Sequence, residues 1–350
     1  MENLNISPII NYAKKVWASD IHLTEWKPLT LRIHWELIIK HEYWIISWVK
    51  MKQILLELLK EDKDLLKNFL ESKDYDFAYL HWDWTSFRVN AFYKLWNISC
   101  VLRVIENKAL SFEELGLPEW VKVFTELKQW LILVTWPTWS WKSTTMISIL
   151  NEINKNRWEH ILTIEDPVEF IFKDEKSIFS QREVWRDTKW FSNALRSAMR
   201  EDPDIVMVWE MRDTETVKAA IELAETWHLV ISTLHTASAV QTIARLLSFF
   251  PISAQNSIRD KLADSLKWVL SQRLIPRKDK EWRVWIYELM FVTAWVKNLI
   301  RSWITNQLQW NIETWSKYWM ISMIKFAEKL KDKWIVDEES YIKYFKEDAE

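Results

Sequence analysis

A lysine followed by two hydroxyl residues, Lys142, Ser143 and Thr144, closes the nonapeptide WPTWSWKST at residues 136–144. That pairing is suited to phosphate. The amine neutralises β/γ charge, and the Ser143 hydroxyl ligates Mg²⁺. The chemistry also needs a loop whose backbone N–H groups converge on phosphate oxygens at a helix N-terminus, and glycine supplies the necessary backbone angles. Here Trp136, Trp139 and Trp141 stand at those places, interleaved with Pro137, Thr138 and Ser140. As written, the segment fails the phosphate-loop pattern GxxxxGK[ST]; with glycine for each tryptophan it becomes GPTGSGKST and matches in full. The surroundings agree, because the apolar run LILV at 131–134 reads as a strand and a helix is expected from Lys142 to about Asn151.

Three further stretches carry candidate chemistry. In REDPDIVMVWEMRDTET at 200–216, a buried-type strand ends in Glu210. Functional groups of open α/β sheets gather at the C-terminal ends of strands, so Glu210 is expected to face a nucleotide, through Mg²⁺ or by orienting the attacking water. ILTIEDPVEF at 161–170 places Glu165, Asp166 and Glu169 after another strand, where three acids beside a proline equally describe an ordinary turn. AETWHLVISTLHT at 224–236 sets His228 and His235 at either end of a β-branched run. Seven residues apart, they lie on opposite faces of a flat strand, and both reach one ligand only if one stands beyond the strand end.

The elements that must position these groups fall into two parts. Residues 1–104 read as a small α/β domain, with strand-like stretches at 29–33 and 86–93 and a helical, Leu- and Lys-rich stretch around 50–70. A polar segment at 105–118 ending in Gly and Pro reads as a linker. From 119 to 350, short β-branched runs at 131–134, 160–164, 205–208 and 229–233 alternate with helical stretches, the signature of a largely parallel sheet covered by helices. After about 252 the chain reads as mostly helical.

Composition narrows the class. The chain has 350 residues, a formal net charge of −2 and one cysteine, Cys100. The balanced charge argues against a nucleic-acid partner. A lone cysteine excludes an internal disulfide and a cysteine-rich zinc site, and no apolar run reaches the length of a membrane span. A cytoplasmic protein is expected.

In order, the four motifs resemble the Walker A, Asp box, Walker B and His box of the type II/IV secretion ATPase superfamily. ASDIHLT at 18–24, FRVNAFY at 87–93, SLKWVLSQRLIPR at 265–277 and AWVKNLIRSW at 294–303 extend the resemblance, over nearly the whole chain, to its twitching-motility pilus retraction subfamily. In the last of these, Val296 and Lys297 replace the subfamily's Ile and Arg, and Ser302 and Trp303 follow. The resemblance implies an N-terminal PAS-like α/β domain, then a RecA-like P-loop domain with a helical C-terminal part. It implies ATP and Mg²⁺ as ligands, with Lys142 and Ser143 on phosphate and metal, and Glu165 and Glu210 as candidate catalytic carboxylates. His228 and His235 would couple nucleotide state to subunit movement, and Arg88 and Arg103 would reach a nucleotide, as stabilisers of phosphoryl charge. From residue type alone, those arginines read equally well as exposed strand residues in salt bridges. A homo-hexamer docked on an inner-membrane pilus platform protein, at the cytoplasmic face, is the expected assembly. Pilus extension and type II secretion ATPases are the neighbouring alternative; their additional N-terminal sequence and four-cysteine zinc motif are not seen here. A RecA-like nucleic-acid translocase fits the charge poorly.

What departs from the family pattern is glycine. Ordinary usage predicts roughly 25 glycines in such a chain, yet Gly116 stands alone beside 27 tryptophans. HWDW, ETWH and the phosphate loop put Trp where chains turn. A Trp-rich glycan- or peptide-binding module would instead keep glycine in its turns. A gene whose UGA codons specify glycine, translated by a table in which they specify tryptophan, accounts for the pattern. Indoles at 136, 139 and 141 would fill the space that phosphates need, so function is expected of the glycine form and not of the Trp form.

Overall fold

The computed structural model describes residues 6–33, 36–41, 45–60, 62–105, 109–136, 142–279, 283–314 and 320–345, without the side chains of Lys63, Lys142 and Ser143. The chain forms two compact units. The first is Met1–Lys108 together with Glu165–Ile171 and Arg182–Lys189; the second comprises Ala109–Ile164, Phe172–Gln181 and Trp190–Glu350.

In the first unit, α1 (Ser7–Lys15) leads into β1 (Asp20–Thr24), β2 (Thr30–Ile33) and β3 (Glu36–Ile39). Then come α2 (Trp48–Leu58), α3 (Lys63–Ser72), β4 (Asp74–Leu80), β5 (Ser86–Lys94) and β6 (Asn97–Ile105). The strands make one antiparallel sheet in the order β3-β2-β1-β6-β5-β4. Burial alternates along β4 and β5, as it must when one face of a pleated sheet is packed. Ile10, Met51, Ile54, Leu58 and Phe69 from the helices share one apolar cluster with Ile21, Leu23, Phe77, Phe87 and Val89 from the strands. Each such side chain contributes about 1.5–3 kcal/mol on burial. The expected strands at 29–33 and 86–93 match β2 and β5, and the expected helix is broken in two where Asp62 caps α3.

In the second unit, a 3-10 turn at Glu119–Lys122 runs into α4 (Val123–Glu126). β7 (Trp130–Thr135), α5 (Lys142–Asn156), β8 (His160–Glu165), β9 (Ile178–Glu183), α6 (Phe191–Ala198) and β10 (Ile205–Val208) follow. Next are α7 (Thr214–Glu225), β11 (Leu229–Leu234), α8 (Ala239–Ser248), α9 (Ile252–Ser265), β12 (Leu266–Pro276) and β13 (Arg283–Phe291). The chain closes with α10 (Ala294–Ser302), α11 (Thr305–Thr314), α12 (Met323–Asp332) and α13 (Glu338–Phe345). The sheet order is β13-β12-β7-β11-β10-β8-β9. β12, β7, β11, β10 and β8 run parallel, and β13 pairs antiparallel with β12. β10 and β11 are buried throughout, and β7 and β8 at every position but the first. Parallel strands covered on both faces read as continuous apolar runs, and this is why the four were visible in the sequence.

Two details differ from the sequence reading. The largely helical stretch after 252 also contains the β12–β13 pair; the β12 sequence LKWVLSQRLIP mixes polar and apolar residues, with neither a continuous apolar run nor period-two alternation. The segment expected as a linker contributes buried Phe112, Leu115 and Leu117, and the Leu115 carbonyl accepts the Tyr287 hydroxyl at 3.3 Å.

The tryptophans occupy glycine's conformational places. Among the described residues, thirteen that are not glycine have positive φ, and nine of these are tryptophan: Trp17, Trp26, Trp84, Trp96, Trp130, Trp185, Trp227, Trp303 and Trp334. Four of them end helices. Trp17, Trp227, Trp303 and Trp334 follow α1, α7, α10 and α12, and in each case the next N–H reaches the carbonyl five residues back: Ala18 to Ala13, His228 to Leu223, Ile304 to Leu299 and Ile335 to Leu330. This is the left-handed helix stop that glycine normally makes. Between β5 and β6, whose last and first residues Lys94 and Asn97 pair, Leu95 and Trp96 both have positive φ. Such a two-residue hairpin favours Gly at its second place.

Candidate nucleotide site

β7 delivers the chain to the phosphate-loop sequence. Trp136 ends that run buried, with its N–H donating to the Leu234 carbonyl at 3.4 Å and its indole edge-on to His235 at 6.4 Å between ring centroids. Its indole Nε1 is buried with no hydrogen-bond partner among the described residues. An unsatisfied buried donor costs about 1–3 kcal/mol, and glycine has none to bury. Pro137, Thr138, Trp139, Ser140 and Trp141 lie outside the described residues, as do the side chains of Lys142 and Ser143 at the start of α5. Thr144 is half-buried in the first turn of α5, and its carbonyl accepts the Ser148 hydroxyl at 2.7 Å. A buried polar row fastens this region to β12: Thr135 donates to Ser271 Oγ and Thr145 to Gln272 Oε1, both at 3.0 Å.

Glu210 follows β10 and is the centre of a charged cluster in the second unit. His235 Nε2, just beyond the end of β11, lies 3.4 Å from Glu210 Oε2, and Arg212 binds the same oxygen through Nε and a terminal nitrogen at 2.9 Å. Burial pushes the Glu210 carboxyl up, but hydrogen bonds and charge from His235 and Arg212 outweigh it and hold the group at about 2. Glu210 is therefore ionised throughout the neutral range. The stability this arrangement contributes is complete above the unfolded carboxyl value of about 4.3 and is lost as pH falls toward 2. The peptide at 209–211 is held from both sides. Trp209 N–H donates to the Ile164 carbonyl, Met211 N–H to the Thr233 carbonyl, and Thr233 Oγ1 to the Trp209 carbonyl.

His228 does not join this cluster within the chain. It sits at the opposite end of β11, roughly 20 Å away along an extended strand, where its Nδ1 lies 3.1 Å from the Leu223 carbonyl at the end of α7. The two histidines are thus one strand-end residue and one helix-end residue.

The remaining candidates belong to the first unit. Glu165 closes β8 and is buried; its Oε2 accepts the Glu169 N–H at 3.4 Å. Arg88 lies 3.3 Å from Asp76 and 3.7 Å from Glu169. Arg103 binds Asp20 at 2.8 Å. Burial raises the Asp20 carboxyl, but hydrogen bonds from Arg103 and Ser19 outweigh it and lower the group overall. Both arginines are thus in ion pairs inside their own unit.

A profile of the type II/IV secretion system protein family matches residues 4–306. The chain belongs to that family. It is 39% identical over 339 residues to the type IV pilus retraction ATPase PilT of Pseudomonas aeruginosa, covering 96% of this chain and 97% of that protein. A twitching motility protein of Neisseria gonorrhoeae is 42% identical over 236 residues, 67% of this chain and 63% of the relative. The crystal structure of the pilus retraction motor PilT with bound ADP is similar with a TM-score of 0.87 and 38% identity, covering 97% of this chain and 96% of that one.

Sequence reasoning missed two charged groups, one in each unit. Arg212 was visible only as part of MRD, with nothing to say that it folds back on Glu210. Glu183, in the first unit, accepts the backbone N–H groups of Ala78 at 3.3 Å and Val168 at 3.1 Å. Burial pushes its carboxyl up to about 7 against those two bonds. A buried acid of this kind leaves no periodic trace. Asp213 was legible in retrospect: it caps α7, accepting the Thr216 N–H at 2.8 Å. Asp213→Ala is expected to lower unfolding free energy by about 1 kcal/mol, read from the midpoint of urea denaturation.

Proposed function

We propose that this protein is the ATP-hydrolysing motor of type IV pilus retraction. The observation that carries the reading is the ionised Glu210 with His235 and Arg212 at the ends of adjacent parallel strands, beside the strand that leads into the phosphate-loop sequence. End-to-end similarity to PilT supports the retraction role in particular.

Lys142 and the backbone at the start of α5 hold the β- and γ-phosphates, where a helix N-terminus favours negative charge. The Glu210 carboxylate is a hard oxygen donor already ionised at working pH, which fits Mg²⁺, and Ser143 is its partner ligand. When bound, that ion neutralises charge on the phosphates. A carboxyl held near 2 is a weak base, so Glu210 suits orientation and charge, and Glu165 is left as the carboxylate that takes the proton from the attacking water. His235 reports the state of the phosphates through its contact with Glu210. Arg88 and Arg103 leave their ion pairs to meet a nucleotide on a neighbouring subunit. Six copies close a head-to-tail ring, with ATP between neighbours, docked on a platform protein at the cytoplasmic face of the inner membrane.

The test is to make the chain as written and with glycine at every tryptophan, and to measure Mg²⁺-dependent ATP hydrolysis. Activity is expected only in the glycine form and is expected to vanish with Lys142→Ala in that background. Folded glycine form without ATPase activity would overturn the reading.

A further inference from the structure

Glu183 closes β9 with its side chain buried, and its two carboxylate oxygens serve different parts of the first unit. Oε2 accepts the Val168 N–H at 3.1 Å, and Oε1 accepts the Ala78 N–H at 3.3 Å. Val168 lies in the segment that follows Glu165, whereas Ala78 lies in β4, the last strand of its sheet. Alternate N–H groups of an edge strand point away from its one neighbour and have no ladder partner. Glu183 supplies a partner there, and so fastens the segment after Glu165 to the edge of the sheet. A carboxylate suits this place because it has two acceptor oxygens and no donor.

The tie reaches Glu165 by two routes. Val184, next to Glu183, donates its N–H to the Glu165 carbonyl at 2.8 Å, so residues 183 and 184 together bracket the stretch from Glu165 to Val168. One residue further on, the Glu169 N–H donates to Glu165 Oε2 at 3.4 Å. Displacing Val168 therefore displaces the donor that orients the Glu165 side chain. Glu183 is itself held in place: its N–H donates to Asp187 Oδ2 and its carbonyl accepts the Asp187 N–H, both at 2.8 Å. The Arg88–Glu169 ion pair also joins this segment to the sheet, but at 3.7 Å and with the arginine side chain 42% exposed it contributes little.

We propose that Glu183 is a positioning residue for Glu165, which it serves by pinning the segment after Glu165 to the edge strand β4. Its effect on the reaction is exerted through Glu165, so this step rests on the proposed role of Glu165 as the base.

The experiment reads the tie and the catalysis separately, in the full glycine-form chain at pH 8. That pH lies above the value of about 7 to which burial pushes the Glu183 carboxyl, so both oxygens accept. Hydrogen exchange is followed at residues 165–171 and 76–80. Glu183→Ala is expected to lower protection about tenfold in both segments together. Glu183→Gln fills the same space but offers one acceptor oxygen, and is expected to lower protection in one segment and spare the other. In parallel, kcat for ATP is expected to fall roughly 10- to 100-fold in Glu183→Ala at unchanged KM, and less in Glu183→Gln. Added to Glu165→Gln, either change is expected to lower kcat no further, because a residue that acts through Glu165 then has nothing left to position. Unchanged protection in both variants would overturn the proposal. So would an equal fold loss of kcat with and without Glu165→Gln, the mark of a merely structural acid. If Glu183→Ala does not fold, Glu183→Gln carries both readings. Lost protection in a chain whose Glu165→Gln variant keeps its kcat would overturn Glu165 as the base and leave the tie to β4 standing.

Discussion

Glycine at the nine left-handed tryptophans is expected to raise the free energy of unfolding by roughly 5–9 kcal/mol in urea denaturation. A side chain in the left-handed region costs about 1–2 kcal/mol, and glycine's extra unfolded-state entropy returns roughly 0.5–1 of that at each site. Little packing is lost in exchange. Trp17, Trp26, Trp84, Trp96, Trp185, Trp227 and Trp334 are all exposed. Trp130 meets Lys267 and Lys297 over its ring and Trp334 meets Lys278, contacts worth about 0.5–1 kcal/mol each at the surface. Since whole domains are stable by about 5–15 kcal/mol, the gain is of the order of the total. A contrast sharpens the test: Trp310 lies inside α11, and Trp310→Gly alone is expected to cost about 0.5–1 kcal/mol. An unchanged or lowered midpoint after the nine changes would mean that the indoles belong where they are.

In the glycine form, Glu165→Gln is expected to lower kcat by about 10²–10⁴-fold with the KM for ATP unchanged, the signature of a lost proton acceptor. Glu210→Gln is expected to lower kcat by about 10²–10³-fold and also to raise the Mg²⁺ concentration needed for half-maximal rate. The difference follows from their surroundings. Glu210 is held at about 2 by His235 and Arg212, so its charge is constant, and in the proposed mechanism its lone pairs serve orientation. Steady-state kinetics across a Mg²⁺ titration separates the two. Equal Mg²⁺ dependence in both variants would contradict the division of labour, and a Glu165→Gln enzyme of normal kcat would remove Glu165 from the chemistry.

The fold was legible where physics leaves a local trace. β7, β8, β10 and β11 were visible because burial on both faces forces unbroken β-branched runs, and the helix at Lys142 because a phosphate-loop sequence joins it to such a run. β12 was not, because LKWVLSQRLIP mixes long polar and apolar residues without alternation. Glu210 was found from its place at a strand end, whereas Arg212 and Glu183 act through contacts that fold together distant or unpatterned positions. His228 and His235 show the limit from the other side: their spacing was readable, but only the fold placed His228 at the end of α7 and His235 beside Glu210. The tryptophans were the clearest sequence signal of all: turn chemistry singled out HWDW and ETWH, and Trp84 and Trp227 there have left-handed backbone, whereas Trp82 and Trp136 do not and Trp139 and Trp141 lie outside the described residues.

The left-handed stop after α1 has a practical consequence for making the protein. Trp17 is the first tryptophan in the chain. If its codon is UGA, a host that treats UGA as termination ends synthesis at Val16, releasing a peptide with α1 and none of the sheet it packs on. No truncated fragment of useful size would accumulate, and a recoded gene is the precondition for every measurement above.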